Sequence, residues 1–408
     1  MSAPTAPVPT ASTAVPATVA GQVEAEAAAA PLFSPFTVGS LVLRNRVVMA
    51  PMSRDLSPGG VPGPESAQYY ARRARGGVGL IITEGTFVGH PAAGNRPDVP
   101  RFYGDDALAG WAEVVRAVHA EGGRIVPQLW HLGMDPLLWG RSVEEAGQLL
   151  PGDTQLTSPE GGLLSPSGVD PDNGPAERRV MTDTDIAQVL EAFATAAADA
   201  ERLGFDGIEL HAAHGYLIDQ FLWERTNLRQ DGYGGDAGAR ARFGAELVRA
   251  CRAAVSPDFP IIMRISQWKV SHYDARIANS PQELEELLAP LVDAGVDVFH
   301  CSTRRFWESE FEGSELNLAA WTKRVTGLPT IVVGSVGLSG SDFLGYLEGK
   351  GAAIGDTAEV ARRLDDGEFD LVAVGRALIA NPDWPDKVRT GRTGELRPFQ
   401  ADMLAALD

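Results

Sequence analysis

Eight short, almost continuously apolar runs recur along the chain, separated for the most part by segments with helical periodicity. The runs are Val47 to Met52, Gly79 to Gly85, Ile125 to His131, Gly207 to His211, Pro260 to Ser266, Val298 to Ser302, Thr330 to Ser335 and Leu371 to Arg376. Strands without polar alternation are covered on both faces, as in a parallel sheet with helices packed outside it. Among the intervening segments, Ser280, Pro281 and Glu283 supply an N-cap, a first-turn proline and a capping-box carboxylate, and Gly295 lies beyond the end. Leu284, Leu287, Leu288 and Leu291 form one stripe there, and Ile186, Val189, Leu190, Phe193 and Ala197 form another ahead of Gly204. Eight strand–helix units predict an α/β protein built as a closed (β/α)8 TIM barrel rather than an open doubly wound sheet. The sequence has no G-x-G-x-x-G after its first strand and no G-x-x-x-x-G-K-[ST], which argues against a dinucleotide fold or a P-loop.

The barrel pattern sets the domain limits. Residues 1–30 are rich in Ala, Pro and Thr, with no Lys or Arg before Arg44, so neither a secretory nor a mitochondrial leader is expected and the segment reads as a disordered tail. Residues 31–408 read as a single barrel domain. Within it, 133–180, after the third strand, is rich in Gly, Pro, Ser and Asp and too long for one connection, which suggests a lid-like insertion at the mouth. The chain carries 54 acidic against 35 basic residues, a net charge of −19, so nucleic acid and anionic membrane surfaces are not expected partners. No apolar run approaches the ~20 residues of a membrane span. Two cysteines, Cys251 and Cys301, make no disulfide framework and no zinc spacing, and a cytoplasmic protein is expected. Monomer and homo-oligomer are both compatible with the sequence.

Chemistry in such a barrel collects at the C-terminal ends of the strands. His211 and His214, three residues apart beside Tyr216, can donate hydrogen bonds to one oxyanion while the phenol supplies a proton. The alternatives are a zinc pair completed by Glu209 or His131, as in a zinc-dependent barrel hydrolase, and satisfied core histidines. Arg264 interrupts an apolar strand and must find an anion, either a ligand or a structural partner such as Glu84 or Glu209. Gly334-Ser335 and Gly375-Arg376 end the last two strands, where barrels often bind phosphate.

From about Leu32 to Val388 the chain resembles the old yellow enzyme family of FMN-dependent ene-reductases and NAD(P)H:flavin oxidoreductases. The resemblance is carried by Leu32-Phe33-Ser34-Pro35-Phe36, Asn45-Arg46-Val47-Val48-Met49-Ala50-Pro51-Met52, Gln128-Leu129-Trp130-His131, His211-Ala212-Ala213-His214-Gly215-Tyr216-Leu217, Asp231-Gly232-Tyr233-Gly234-Gly235 and Gly375-Arg376-Ala377-Leu378-Ile379-Ala380-Asn381-Pro382. It implies a non-covalent FMN across the mouth, lined by Ala50, Pro51, Met52 and Ser53. Gly85 and Gln128 would bond the ring, Arg264 would sit at its N1/O2 edge, and Ser335, Gly375 and Arg376 would hold the phosphate, with Gly334 shaping the turn. It further implies that NADH or NADPH reduces the flavin and that hydride passes to the β carbon of an α,β-unsaturated ketone or aldehyde. His211 and His214 would hold the carbonyl, Tyr216 would protonate the α carbon, and Trp130 would pack on the substrate. Ser53 stands where relatives often carry Thr or Cys, Met134 follows Gly133 where Arg is common, and Asp236-Ala237-Gly238-Ala239 replaces Ser-Leu-Glu-Asn. A flavin-binding protein without turnover is the remaining reading.

Overall fold

The computed structural model describes residues 19–139, 163–175, 179–340 and 350–408. Its centre is a closed barrel of eight parallel strands. They are β1 (Val47–Met49), β2 (Leu80–Phe87), β3 (Arg124–Trp130), β4 (Ile208–His214), β5 (Ile261–Lys269), β6 (Val298–Ser302), β7 (Thr330–Val333) and β8 (Leu371–Val374). Each pairs with its successor in the chain, and β8 closes on β1. All eight apolar runs are therefore barrel strands. Three of them, β2, β4 and β5, continue past the apolar stretch because the ladder is bonded through the backbone and tolerates inward polar groups that find partners.

Side chains alternate across each strand, and the alternation sorts them into two compartments. Val47, Met49, Ile81, Ile125, Leu210, Met263, Phe299, Val332 and Val372 face the helices and belong to the large outer core. Val48, Leu80, Ile82, Val126, Ile262, Val298, Ile331, Leu371 and Ala373 fill the lower interior, together with Leu41 and Leu43 of the hairpin Phe36–Val38/Leu41–Leu43. Higher up the same inward parity brings Gln128, Glu209, His211, Arg264, Ser266, His300 and Ser302. The floor is apolar and the mouth is polar.

The helix signals appear where the sequence puts them, except that the Glu283 carboxylate accepts from Asn279 and not from the Ser280 amide, so no capping box closes there. In the helix Pro281–Ala294 the Ser280 hydroxyl accepts from the Glu283 amide, and Gly295 ends it at φ 105°, a left-handed conformation that needs no Cβ. Thr182 and Asp185 form a capping box at the start of Asp183–Leu203. The expected tail differs from the structure over its last part. Val19–Ala29 is a helix running into the turn Ala30–Phe33, because its alanines favour helix and Ala29 and Leu32 are buried in the outer core. Residues 1–18 lie outside the described residues, as do 140–162 and 176–178 of the insertion. The described part of the insertion holds the turn Pro136–Leu138 and two small ladders, Leu164–Ser165 with Arg179–Val180 and Val169–Asp170 with Gly174–Pro175. Among the described residues no helix is long and apolar enough to cross a membrane.

Candidate active site

His211, Arg264 and His300 lie side by side on β4, β5 and β6. After His211 the strand bulges and turns sharply. His214 has φ 66°, a left-handed conformation uncommon for residues other than glycine. The support is polar and buried: the His214 amide donates to Ser266 Oγ at 2.9 Å, and the Gly215 amide donates to Asp219 Oδ2 at 2.6 Å. Asp219 is in turn paired with Lys269 Nζ at 2.7 Å, both side chains fully inaccessible. The turn aims three rings at one point. His211 lies 5.1 Å from His214 and 5.0 Å from Tyr216 between centroids, and Trp130 meets Tyr216 edge-on at 4.8 Å.

Electrostatics fix the protonation of this cluster. Burial, then the Arg264 charge, holds both His211 and His214 well below the usual imidazole range, so each is neutral with a single N–H to offer. His214 Nε2 is bonded to Ser302 Oγ at 2.8 Å, whereas His211 Nδ1 is buried without a partner among the described residues. Burial pushes the Tyr216 phenol well above its ordinary value, opposed by Arg96. The phenol therefore holds its proton until a stronger base arrives.

The opposite wall carries the groups expected to meet a flavin. Glu84, pushed up to about 7 by burial, accepts from the Arg54 and Asp55 amides at 2.8 and 3.2 Å and so anchors the segment that follows Ala50, Pro51, Met52 and Ser53. Gly85 must lack a side chain, since a Cβ there would stand 2.6 Å from the Trp130 ring. Gln128 Nε2 donates to Glu209 Oε1 at 2.7 Å, and Glu209 Oε2 is bonded to His300 Nδ1 at 2.6 Å. The Gln128 amide oxygen is left to accept.

These bonds also decide the Arg264 question. Both carboxylates weighed as its partners are engaged elsewhere, Glu209 with Gln128 and His300 and Glu84 with the loop amides. Among the described residues Arg264 donates only to Ser302 Oγ at 3.4 Å and its Nε is buried without a partner; burial, opposed by the Glu209 charge, lowers it to about 10. At the ends of β7 and β8, Ser335 has φ 54° and donates to the Arg304 carbonyl at 3.0 Å, and Gly375 precedes the turn Arg376–Ala380. A Cβ on Gly334 would lie 2.4 Å from Thr303 Oγ1, so only glycine fits. Among the described residues no group of three or more His, Cys, Asp or Glu side chains is placed to hold a metal ion.

The structure thus brings His211, His214, Tyr216 and Trp130 into one cluster, with Gln128 and Arg264 below it, while Ser53 is exposed. Sequence reasoning missed Arg96, Asp135, Lys269 and Asp219, and assigned no role to Ser302 or Ser266. Ser266 and Ser302 could have been found by their inward parity on β5 and β6. Arg96 and Asp135 sit in loops with no periodicity to mark them.

Unpartnered buried nitrogens on Arg264 and His211, beside a glycine-lined wall, fit a planar group rich in acceptors, as FMN is. Fold and mouth together define a flavin-binding (β/α)8 oxidoreductase. Residues 31–345 match the model of the NADH:flavin oxidoreductase / NADH oxidase family. A rice (Oryza sativa subsp. japonica) 12-oxophytodienoate reductase 7 is 36% identical over 88% of this chain and 88% of its own length. A Thermoanaerobacter brockii NADH oxidase is 36% identical over 90% of the chain, which spans 52% of that longer protein. A morphinone reductase solved with tetrahydroNAD superimposes with a TM-score of 0.71 at 30% identity, covering 91% of this chain and 93% of that one. The chain belongs to the NADH:flavin oxidoreductase / NADH oxidase family, the old yellow enzymes, whose cofactors are FMN and NAD(P)H.

Proposed function

We propose that the protein is an ene-reductase that reduces the C=C bond of small α,β-unsaturated ketones or aldehydes at the expense of NADH or NADPH. The observation that carries this reading is the convergence of two neutral histidines, a protonated tyrosine and an indole on one point of the mouth. FMN held at the mouth would supply the redox chemistry, hydride transfer between NAD(P)H and the substrate β carbon. His211 and His214 donate to the carbonyl oxygen and polarise the alkene, with His214 held from behind by Ser302 and Ser266. Tyr216 gives its proton to the α carbon, and Trp130 forms the wall on which the substrate rests.

The remaining residues hold the cofactor. Ala50, Pro51, Met52 and Ser53 line the ring, Gly85 and Gln128 meet its polar edge, and Arg264 brings positive charge beside it. Ser335, Gly375 and Arg376 hold the phosphate, with Gly334 shaping the turn. Of the insertion, the described Leu137 and Leu138 pack with Leu163 and Val270, next to the end of β5, which supports a lid there. A single mouth serves nicotinamide and enone in turn, so ping-pong kinetics are expected. The names of two relatives, a 12-oxophytodienoate reductase and a morphinone reductase, support an oxo-bearing substrate.

The test is anaerobic reduction of the purified, FMN-loaded protein with NADPH or NADH, followed by cyclohexenone. Reoxidation with saturation kinetics is the expected result. Reduction without reoxidation would make this a flavin protein lacking ene-reductase turnover.

A further inference from the structure

One charged side chain outside the expected set sits against Tyr216. Arg96, on the loop after β2, is 7% exposed. Its Nη2 lies 3.4 Å from Asp135 Oδ2 and its Nη1 3.8 Å from Asp55 Oδ2. Asn95 Nδ2 donates to the same Asp135 oxygen at 3.1 Å. The guanidinium stands 5.6 Å over Trp130, the ring that meets Tyr216 edge-on. Arg96 lies near enough to the Tyr216 phenol for its charge to oppose the effect of burial there, while the Asp135 and Asp55 charges reinforce that effect.

A guanidinium has donors and no acceptor. Toward Arg96 the phenol oxygen can therefore only accept, which leaves the hydroxyl proton free to point at a substrate. A carboxylate in the same place would capture that proton. Once the proton leaves, a phenolate remains in a buried site, where an uncompensated charge is costly. Arg96 is the cation beside it. Asp55 and Asp135 fix the guanidinium in place. His211, 5.0 Å from the Tyr216 ring, is neutral and contributes no competing charge.

We propose that Arg96, clamped by Asp135 and Asp55, is a positioning residue for proton delivery by Tyr216, orienting the phenol and compensating the tyrosinate it leaves. The inference rests on the reading of Tyr216 as proton donor. In the step concerned the Tyr216 O–H bond breaks and the α C–H bond forms. The negative charge on the phenol oxygen is met by Arg96, and water restores the proton.

The experiment is stopped-flow reoxidation of the reduced, FMN-loaded enzyme by cyclohexenone and, separately, by ferricyanide, which needs no carbon protonation. Arg96→Met should slow the enone reaction about ten-fold or more while ferricyanide reoxidation stays within about two-fold. Arg96→Lys, which keeps a donor-only cation, should recover most of the rate. In a Tyr216→Phe background Arg96→Met should cost nothing further, because it acts through the phenol. Equal loss with both oxidants, or full additivity with Tyr216→Phe, overturns the proposal. If Arg96→Met does not fold, Arg96→Gln is put through the same cycle with the same criteria. Should Tyr216→Phe alone leave the enone rate unchanged, the assignment of the proton donor fails instead, a result read independently of Arg96.

Discussion

At the residue scale the site works by letting burial decide which groups carry protons. Neutral His211 and His214 can each donate one hydrogen bond, and Tyr216 keeps its proton because ionising in a buried pocket is unfavourable. Tyr216→Phe should leave reduction by NAD(P)H nearly intact and slow enone reoxidation by about 100-fold or more, the range of a lost general acid. Equal slowing of both half-reactions in stopped-flow would contradict the assignment. His211→Ala combined with His214→Ala should weaken the binding of simple phenols, read as loss of their spectral perturbation, by about 2 kcal/mol or more for two lost donors. These residue types were legible in the sequence because they stand in one short motif after a strand. Arg96 was not, because a lone arginine in a loop shows no sign of what it will touch.

At the scale of elements, the bulged end of β4 and the continuation of β5 are a single device. The left-handed His214 persists because Lys269 on β5 and Asp219 on the following helix Leu217–Leu222 are locked together beneath it. Lys269→Met leaves Asp219 buried without its cation and should cost about 3–5 kcal/mol of unfolding free energy. The loss is measurable as a lower urea midpoint, and adding Asp219→Asn should restore part of it. A full loss of stability that the second change does not relieve would mean that the pair is not coupled. Nothing in the periodicity of 260–270 announces this pairing, since a lysine after an apolar run reads as the solvent end of a strand. By contrast the cap at Ser280 and the stop at Gly295 were legible, because the chemistry of a helix end lies within a few residues of itself.

For the molecule as a whole, burying neutral histidines ties stability to pH. His131, His211, His214 and His300 are all held below the usual imidazole range by burial first. As pH falls through ~6.5 the unfolded chain gains protons that the native state refuses, so this contribution is complete above that value and is lost on acidification. His211→Gln removes one such proton and should flatten the slope of unfolding free energy between about pH 7.5 and about pH 5.5 by up to ~1.4 kcal/mol per unit. An unchanged slope in urea titrations would show that His211 takes up its proton in the native state as it does in the unfolded chain. Barrel class, strand number and most of the mouth were determined by the sequence alone, because alternation and strand–helix order are local patterns that recur eight times. The partners of Arg264, the clamp on Arg96 and the helix at Val19–Ala29 were decided only by the tertiary structure. Each depends on side chains far apart in the chain competing for the same hydrogen bonds or the same buried surface, and no local pattern records which competitor wins.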